Sequence, residues 1–365
     1  MELNGVIRTD RKMADGRTIR YYDSKPTNRD ATDKRPKEAQ PNIGELRFDP
    51  LVNEWIAISS HRQNRIFLPP KELCPLCPTK GELLTEIPES DFEVVVFDNR
   101  SPSLSPTTND FALPDYAGPE TDKAEAIGKC EVVCFTSDHG QSFCDLSSAQ
   151  VRTLLEAWRD RTAELSKEAF IRHIAPFENR GEEIGVTLHH PHGQIYAYSY
   201  LPPRVEKMLA VARKYKEDFG KVLFDEILKR ELTDKVRIVC QNEFWVAYVP
   251  FAARYPYEIH LAPLSPVADL TELSKAQCDA FPAIALEVTK RLDGIFGIPM
   301  AYIAAWHQAP VREGRDLLRS HWQITSVRRA PGKLKYLAGS ESAMGAFIMD
   351  VMPEQSAQQL REVKL

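Results

Sequence analysis

Several features are missing from this chain of 365 residues. No stretch approaches 18 consecutive apolar residues, so the sequence predicts no transmembrane helix. The first eight residues contain no apolar run of the kind that a secretory signal needs. The seven cysteines are an odd count, which argues against a disulfide framework and favours free thiols or metal ligands in a reducing compartment. We therefore expect a cytoplasmic protein with no membrane partner.

The chain also lacks the charge that is typical of a nucleic-acid-binding protein. Its net charge is −5, so there is no global basic field to hold a phosphate backbone. With 17 glycines and 26 prolines, it is not a low-complexity chain either. What remains is an ordinary globular composition, 43% hydrophobic and 27% charged. At roughly 150 residues per domain, the length predicts two domains or one large duplicated domain.

Local patterns divide the chain into an arm and two halves. Residues 1–44 are rich in Lys, Arg and Asp, and we expect a polar N-terminal arm that is extended or partly disordered, with ordered structure beginning near Leu46. The halves are predicted at residues 45–204 and 205–365. Hydrophobic periodicity predicts strands at 54–59, 92–97 and 131–135 and helices over 147–167 and 205–232.

The second half of the sequence repeats the first. The segment LSSAQ at 146–150 matches LSKAQ at 273–277, and each follows a predicted strand and opens a predicted helix. The segment HGQI at 192–195 matches HWQI at 321–324. We infer a duplicated strand–helix–strand unit, with Gln150 and Gln277 at matching helix starts. Short sequential strands then predict an α+β fold, with a mostly antiparallel sheet and helices on one face.

The densest cluster of reactive side chains is HHPHGQ at residues 189–194. On a strand, His190 and His192 would point to the same face, because side chains alternate with a period of two, and Gln194 would continue that face. Two imidazoles there can serve as a metal ligand and a nucleophile, or as two metal ligands. A polar strand edge with surface histidines is the alternative.

A second motif is Cys74-x-x-Cys77. Two cysteines at this spacing form half of a zinc site when further Cys or His ligands complete it. The candidates for the other half are His139, which follows a predicted strand, and His190. A closed set of four protein ligands indicates a structural zinc ion rather than a catalytic one. A loop with two free cysteines is the alternative.

Four motifs together resemble the galactose-1-phosphate uridylyltransferase family of the histidine-triad superfamily: CPLC at 74–77, SDH at 137–139, FENRG at 177–181 and HPHGQ at 190–194. The resemblance runs from about residue 47 to the C-terminus. It implies two histidine-triad-like halves with half-barrel sheets, the first carrying the zinc site and the nucleophile and the second a degenerate motif. It also implies a homodimer that exchanges UMP between UDP-glucose and galactose 1-phosphate in galactose metabolism.

The same resemblance implies roles for individual residues. One structural zinc ion per chain would be held by Cys74, Cys77, His139 and His190, and His192 would become uridylylated. The implied substrate contacts are Arg62 and Arg65 with phosphate across the dimer interface, Asn99 with ribose, Asn179 and Thr187 near the phosphates, and Lys335 and Glu341 with the hexose 1-phosphate. Without the resemblance, the arginines and the Lys335–Glu341 pair would be ordinary surface charges.

The chemistry of the motif favours transfer over hydrolysis. An imidazole that attacks a nucleotide α-phosphorus forms a phosphoramidate and splits one displacement into two steps. Gln194 can donate an amide N–H to a phosphoryl oxygen, but it cannot relay a proton near neutral pH. A histidine at that position would supply the acid–base catalysis that suits hydrolysis. Gln194 therefore favours a phosphate acceptor, which arrives already ionised.

The sequence departs from the family pattern at a second metal site. Some members carry an iron-type site built from one Glu and three His. Here His307 matches, but ITSV at 324–327 stands where that pattern has two further histidines, and the Glu position falls near Met208. We therefore predict no second metal, and we interpret His321 as a structural remnant of the duplication.

Two other functions are open. A nucleoside-diphosphate-sugar phosphorylase, which converts ADP-glucose and phosphate through an adenylyl-histidine, shares the His-Pro-His-x-Gln core. Lys335 and Glu341 favour a sugar-phosphate acceptor over inorganic phosphate. The second alternative is a zinc-stabilised module that binds protein or nucleic acid without catalysis. The net charge and the lack of a basic, aromatic-rich stripe disfavour it.

Overall fold

A computed structural model describes residues 1–37, 44–60, 67–106 and 122–365. The strands are β1 Glu2–Leu3, β2 Val6–Lys12, β3 Thr18–Asp23, β4 Glu45–Asp49, β5 Glu54–Ile58, β6 Val94–Asp98, β7 Lys123–Glu125, β8 Gly128–Cys134, β9 His173–Arg180, β10 His192–Tyr198, β11 Ile238–Gln241, β12 Trp245–Tyr248, β13 Ile259–Pro263, β14 Tyr302–His307, β15 His321–Thr325, β16 Arg328–Ala330 and β17 Lys333–Leu334. The helices are α1 Ser148–Leu165, α2 Pro203–Phe219, α3 Leu223–Asp234, α4 Lys275–Gly294, α5 Gly339–Met344 and α6 Pro353–Glu362.

Twelve of these strands form one antiparallel sheet in the order β1-β2-β3-β6-β8-β10-β9-β14-β15-β13-β12-β11. Strands β5-β4-β7 form a small second sheet, and β16 and β17 form a hairpin. The predicted α+β fold with a mostly antiparallel sheet is confirmed. Within the four described ranges, no helix is long and apolar enough to cross a membrane.

The main sheet contains the same unit twice. In the first unit, β6 and β8 lead into α1, which is followed by β9 and β10; in the second, β12 and β13 lead into α4, which is followed by β14 and β15. The sheet order is β6-β8-β10-β9 on one side of the centre and β14-β15-β13-β12 on the other. The strand order of the second unit is therefore the reverse of that of the first, as expected for two copies of one unit that meet at the β9–β14 edge. The boundaries 45–204 and 205–365 stay predictions.

Helices α1 and α4 begin in the same way. Ser147 caps α1 and Ser274 caps α4, and each serine side chain accepts a hydrogen bond from the main-chain N–H of a glutamine three residues later, Gln150 or Gln277. Each glutamine side chain bonds back to the main-chain N–H of its serine, which completes a capping box. The prediction of matching helix starts is confirmed.

The two units share one hydrophobic core. Helices α1 and α4 pack together on one face of the sheet, over a cluster of large aromatic side chains. Its members include Trp158, Trp245, Phe281, Trp306 and Trp322. The expectation that the helices lie on one face holds for this pair, but α3 packs on the opposite face, against Val246 and Tyr248 of β12. Both faces of β12 are buried because all four of its residues are buried.

The described part of the N-terminal arm, residues 1–37, contains three strands, contrary to the expectation that ordered structure begins near Leu46. Strand β3 pairs with β6, and β2 and β1 extend the sheet further, so ordered structure begins well before Leu46. The prediction was wrong because the charged residues of the arm neutralise one another. Arg29, for example, is buried at 6% exposure and pairs with Asp23. Ion pairing of this kind removes the electrostatic cost that composition alone suggests.

One buried ion pair joins α1 to the sheet. Arg161 of α1 donates from Nη2 to Glu131 Oε1 at 2.7 Å and from Nε to Glu131 Oε2 at 2.9 Å. Both side chains are almost fully buried. Burial raises the pKa of Glu131, but Arg161, together with the nearby Arg20 and Lys129, more than offsets burial and lowers the pKa below its ordinary value. The carboxylate of Glu131 on β8 therefore depends mainly on Arg161 for its charge compensation, with Arg20 as a second cation at 3.6 Å.

We expect Arg161→Met to destabilise the fold by up to about 3–5 kcal/mol, because the buried carboxylate of Glu131 loses both hydrogen bonds from Arg161 and keeps the more distant Arg20, at 3.6 Å. Urea unfolding followed by circular dichroism measures this loss. The matched control is Lys167→Met, which removes a cation that pairs with Glu164 just beyond the same helix but is largely exposed. The control should change the free energy of unfolding by less than about 0.5 kcal/mol. Equal effects would contradict the structural role of the Arg161–Glu131 pair.

Candidate active site

Strand β10 carries the candidate catalytic residues on the face opposite α1. His192, Gln194 and Tyr196 are half-buried on one face, while Gly193 and Ile195 are buried on the other. Gly193 is required here by space, because a Cβ at this position would lie 2.5 Å from the carbonyl oxygen of Phe177 on β9. The strand thus presents an imidazole and an amide side by side, held close to the neighbouring strand.

One hydrogen bond defines the tautomer of His192. Its Nδ1 lies 2.7 Å from the carbonyl oxygen of His190. A carbonyl oxygen only accepts, so Nδ1 carries the proton and donates it. When the imidazole is neutral, its lone pair therefore lies on the other ring nitrogen, Nε2. This is the protonation state that a nucleophilic histidine requires.

The four predicted metal ligands lie together. The candidate ligand atoms of Cys74, Cys77, His139 and His190 are all within 4.8 Å of one another. Cys77 Sγ is 3.4 Å from His139 Nδ1 and 3.6 Å from His190 Nδ1. In a tetrahedral zinc site, bond lengths of about 2.3 Å to sulfur and 2.0 Å to nitrogen place those atoms roughly 3.6 Å apart. The spacing of the side chains therefore fits a tetrahedral ion with sulfur and nitrogen ligands.

The protonation chemistry of this cluster fits a cation as well. His190 Nε2 donates to the carbonyl oxygen of Thr136 at 2.8 Å, so its Nδ1 presents a lone pair towards Cys77. Burial lowers the pKa of His190 to about 4, which keeps its ring neutral. Burial, and then the neighbouring Cys74, raise the pKa of the Cys77 thiol to about 12. A cation is therefore needed to hold the thiolates that a metal site uses.

His190 and His192 do not share one strand face as the sequence predicted. Strand β10 begins at His192, and His190 lies in the preceding turn, where its ring faces Cys77. The two residues are nevertheless coupled, because the main-chain carbonyl of His190 accepts the Nδ1 proton of His192. The turn between them thus places the metal cluster and the candidate nucleophile on either side of a single peptide segment.

A cavity of about 490 Å³ lies in front of His192 and Gln194. This volume is typical of a small-molecule site. Asn99 donates from Nδ2 to Gln194 Oε1 at 3.4 Å, so the amide NH₂ of Gln194 is the group that can donate to a ligand. The other lining residues are Pro75, Leu76, Glu86, Phe97, Arg100, Ser101, Val132, Phe177, Asn179, Gly185, Val186, Thr187, Leu188, Gly193 and Tyr196.

The structure gathers some of the predicted substrate residues but not all. Asn99, Asn179 and Thr187 line the cavity together with His192. Lys335 and Glu341 are not among the lining residues that the described part of the chain supplies. They are buried and form an ion pair with each other, at 2.8 Å between Lys335 Nζ and Glu341 Oε1. Arg62 and Arg65 lie outside the described residues.

The second unit carries a buried polar cluster at the matching position. His307 Nε2 donates to Gln323 Oε1 at 2.8 Å, and the Gln323 amide contacts both Glu258 and His260. The ring of His321 stacks on that of His307 at 5.0 Å. His260 could not be identified from the sequence, because only the pairing of β13 with β15 brings it opposite Gln323.

This cluster does not test the prediction that the chain holds no second metal ion. In the described ranges, the group of Cys74, Cys77, His139 and His190 is the only set of three or more His, Cys, Asp or Glu residues with ligand atoms this close together. Met208, at the predicted Glu position, packs against an apolar cluster. The prediction of no second metal stays a prediction.

Burial keeps several histidines of the sheet neutral. Burial lowers the pKa of His307 to about 3 and that of His173 on β9 to about 4. Burial, followed by the nearby His260, lowers the pKa of His321 well below its ordinary value. These three rings lie away from the Cys74–Cys77 cluster. Protonating any of them in the folded state would place a charge in an apolar environment.

The free energy of unfolding should fall as the pH drops from about 6.5 towards 4. The folded protein keeps these imidazoles neutral while the unfolded chain binds protons below about pH 6.5, so the unfolded state binds more protons in that window. Each such histidine contributes a slope of up to about 1.4 kcal/mol per pH unit. Urea unfolding at several pH values measures the slope. His307→Gln should reduce it, and an unchanged slope would contradict a neutral, buried His307.

Comparison with known proteins matches nearly the whole chain to one family of enzymes. Residues 34–202 match the family model for the N-terminal domain of galactose-1-phosphate uridyl transferase, and residues 209–365 match that for its C-terminal domain. The chain is 41% identical to galactose-1-phosphate uridylyltransferase from Streptomyces lividans, over 98% of each chain. It is 39% identical to the enzyme of that name from Thermotoga maritima, over 88% of this chain and 99% of the relative.

Solved structures with the same fold superpose on most of the chain. A uridylyltransferase structure superposes with a TM-score of 0.76 at 31% identity, over 87% of this chain and 98% of that one. An ADP-glucose phosphorylase from Arabidopsis thaliana superposes with a TM-score of 0.66 at 22% identity, over 88% of this chain and all of that one. At that identity, the second likeness shows a shared fold alone.

Proposed function

The chain belongs to the galactose-1-phosphate uridylyltransferase family, and on that premise we propose that it transfers UMP from UDP-glucose to galactose 1-phosphate through a covalent intermediate on His192. The observation that carries the proposal is the hydrogen bond from His192 Nδ1 to the carbonyl oxygen of His190. That bond leaves the lone pair on Nε2, on a strand that borders the 490 Å³ cavity.

The reaction has two half-reactions at one site. His192 Nε2 attacks the α-phosphorus of UDP-glucose; an N–P bond forms, the P–O bond to the β-phosphate breaks, and glucose 1-phosphate leaves with the electron pair. A phosphate oxygen of galactose 1-phosphate then attacks the same phosphorus. The N–P bond breaks and UDP-galactose forms, which returns the neutral imidazole. No proton needs to be delivered to either sugar phosphate, since both are ionised near neutral pH.

Gln194 and Asn99 would act on the nucleotide. The Gln194 carbonyl is oriented by Asn99, so its NH₂ group is the donor available to a phosphoryl oxygen as negative charge shifts in the transition state. We propose that Asn99 also contacts the ribose and that Asn179 and Thr187 contact the phosphates. All four residues line the same cavity, which supports this assignment.

We propose that Cys74, Cys77, His139 and His190 hold one structural zinc ion per chain. Two sulfur and two nitrogen ligands in a closed set are the donor set that zinc prefers. A bound ion would supply folding free energy and fix the turn that leads to His192.

All seven cysteines lie in the described ranges as free thiols, which supports our placing the protein in the cytoplasm.

We further propose a homodimer in which Arg62 and Arg65 reach the phosphates across the interface and in which Lys335 and Glu341 bind the hexose 1-phosphate. Support for an interface comes from the hairpin β4–β5, which exposes Leu51, Val52 and Ile56. Isolated exposed apolar residues are ordinary, but three within six positions on one hairpin are typical of a surface that another chain covers.

A covalent uridylyl group should be trapped when UDP-glucose is present without an acceptor. Protein incubated with UDP-glucose labelled at the α-phosphate should retain label that is acid-labile and base-stable, as expected of a phosphoramidate. His192→Ala should abolish labelling because Nε2 is the attacking atom. Gln194→Ala should still be labelled, but on the order of 10²–10³-fold more slowly, because one donor to the transition state is lost. Quenched-flow sampling with a filter assay measures both.

The matched control is His189→Ala, which removes the adjacent exposed histidine that pairs with Glu182. It should be labelled at the wild-type rate. Full labelling of His192→Ala would exclude this nucleophile. Parallel assays with ADP-glucose and inorganic phosphate test the phosphorylase alternative, which would be favoured if that pair turned over faster than UDP-glucose and galactose 1-phosphate.

Metal analysis of the purified protein should give one zinc per chain. Cys74→Ser should lose the metal and lower the melting temperature, because a structural ion contributes directly to folding free energy. Cys278→Ser is the control, since Cys278 is equally buried in α4 but lies outside the metal cluster. It should lower the melting temperature without loss of metal. Full zinc content in Cys74→Ser, or two tightly bound metals per wild-type chain, would contradict the proposed site.

A further inference from the structure

The N-terminal strands lie beside the nucleoside end of the cavity. Strands β2 and β3 precede residue 34, where the match to the family model begins. Strand β3 pairs with β6 through Ile19 and Phe97, and β6 leads directly into Asn99. The turn between β2 and β3 therefore sits against the segment that carries the proposed ribose contact.

Arg17, in that turn, reaches two parts of the cavity wall. Its Nη1 donates to the carbonyl oxygen of Asp98 at 2.8 Å, and its Nη2 donates to Glu86 Oε2 at 2.6 Å. Its Nε donates to Asp15 Oδ2 at 2.7 Å, so all three guanidinium nitrogens make a hydrogen bond. Arg17 is only 6% exposed, so these bonds are made with little competition from water.

The bond to Asp98 fixes a particular peptide. The carbonyl oxygen of the Asp98–Asn99 peptide accepts from Arg17, and the N–H of the same peptide donates to the carbonyl oxygen of Cys130 at 2.9 Å. A peptide group whose C=O and N–H are both hydrogen-bonded resists rotation about the line that joins its two Cα atoms. The side chain of Asn99 therefore leaves the chain in a fixed direction, towards Gln194.

Glu86 is held from two sides by the same N-terminal segment. Arg35 donates to Glu86 Oε1 at 2.6 Å, opposite the bond from Arg17 to Oε2. Glu86 and Asn99 both line the cavity. Arg17 thus holds the Asp98–Asn99 peptide, and Arg17 and Arg35 together hold Glu86. Neither arginine lines the cavity itself.

We propose that Arg17 is a positioning residue for the nucleoside part of the substrate, acting through the Asp98–Asn99 peptide and Glu86. This inference rests on the proposed function, because it takes Asn99 to be a nucleotide contact. Loss of Arg17 should weaken nucleotide binding more than it slows the chemical step, since His192 and its bond to His190 lie on other elements.

The test compares two arginines of the same segment. Arg29 is also 6% exposed and pairs with Asp23 and with the carbonyl oxygen of Asp91, away from the cavity-lining residues. Arg17→Met and Arg29→Met should lower the melting temperature by similar amounts. Only Arg17→Met should raise the dissociation constant of UMP, measured by calorimetry, and the KM of UDP-glucose, each on the order of 10-fold, with a smaller change in kcat. Arg17→Lys, which keeps the charge but can reach fewer acceptors, should give an intermediate KM.

The outcomes separate this inference from the proposed function. If wild-type protein transfers UMP but both Arg17 variants bind UMP and UDP-glucose as wild type does, the positioning role is wrong and the function stands. An equal rise in KM for Arg29→Met would show a general loss of order rather than positioning, and it would also overturn the inference. If Arg17→Met does not fold, the KM of Arg17→Lys decides. Wild-type protein without transfer activity would instead contradict the proposed function.

Discussion

The site depends on the two ends of one residue, His190. Its ring joins the Cys74–Cys77 cluster through Nδ1 and is oriented by the bond from Nε2 to Thr136. Its main-chain carbonyl sets the proton of His192 on Nδ1. The same residue thus belongs to the candidate metal cluster and orients the candidate nucleophile. Loosening the cluster would therefore change the orientation of that carbonyl and, with it, the position of the His192 ring.

The duplicated sheet gives this local arrangement a rigid frame. Gln194 pairs with Phe177, Phe177 with Ala305, and Ala305 with Gln323, so one row of residues crosses four strands and the junction between the units. Directly paired residues point to the same face of a sheet. The active face of β10 therefore continues across the junction, and its position is fixed by hydrogen bonding along the whole width of the sheet.

Local chemistry could be predicted from the sequence, whereas pairing between distant segments could not. The Cys74–Cys77 spacing and the HPHGQ segment pointed to side chains that the structure brings together, because their chemistry depends on residue type and short spacing. The helix starts at Gln150 and Gln277 followed from the repeated segments LSSAQ and LSKAQ. The ordered N-terminal arm could not be predicted, since its stability comes from contacts such as that of Arg17 with Glu86, which composition does not reveal. The contact between His260 and Gln323 could not be predicted for the same reason, because it depends on the pairing of β13 with β15.

The two units differ in how the matching glutamine spends its hydrogen bonds. Gln194 is half-buried; its amide oxygen accepts from Asn99, and its side chain lines the cavity. Gln323 is buried; its amide oxygen accepts from His307, and its amide nitrogen donates to Glu258 and lies 3.1 Å from His260 Nε2. A buried amide whose oxygen and nitrogen are both bonded within the protein is not presented to a ligand. One backbone frame thus supports a ligand cavity in the first unit and a closed polar cluster around the Glu258 carboxylate in the second, and the difference arises from a few side chains that face the same side of the sheet.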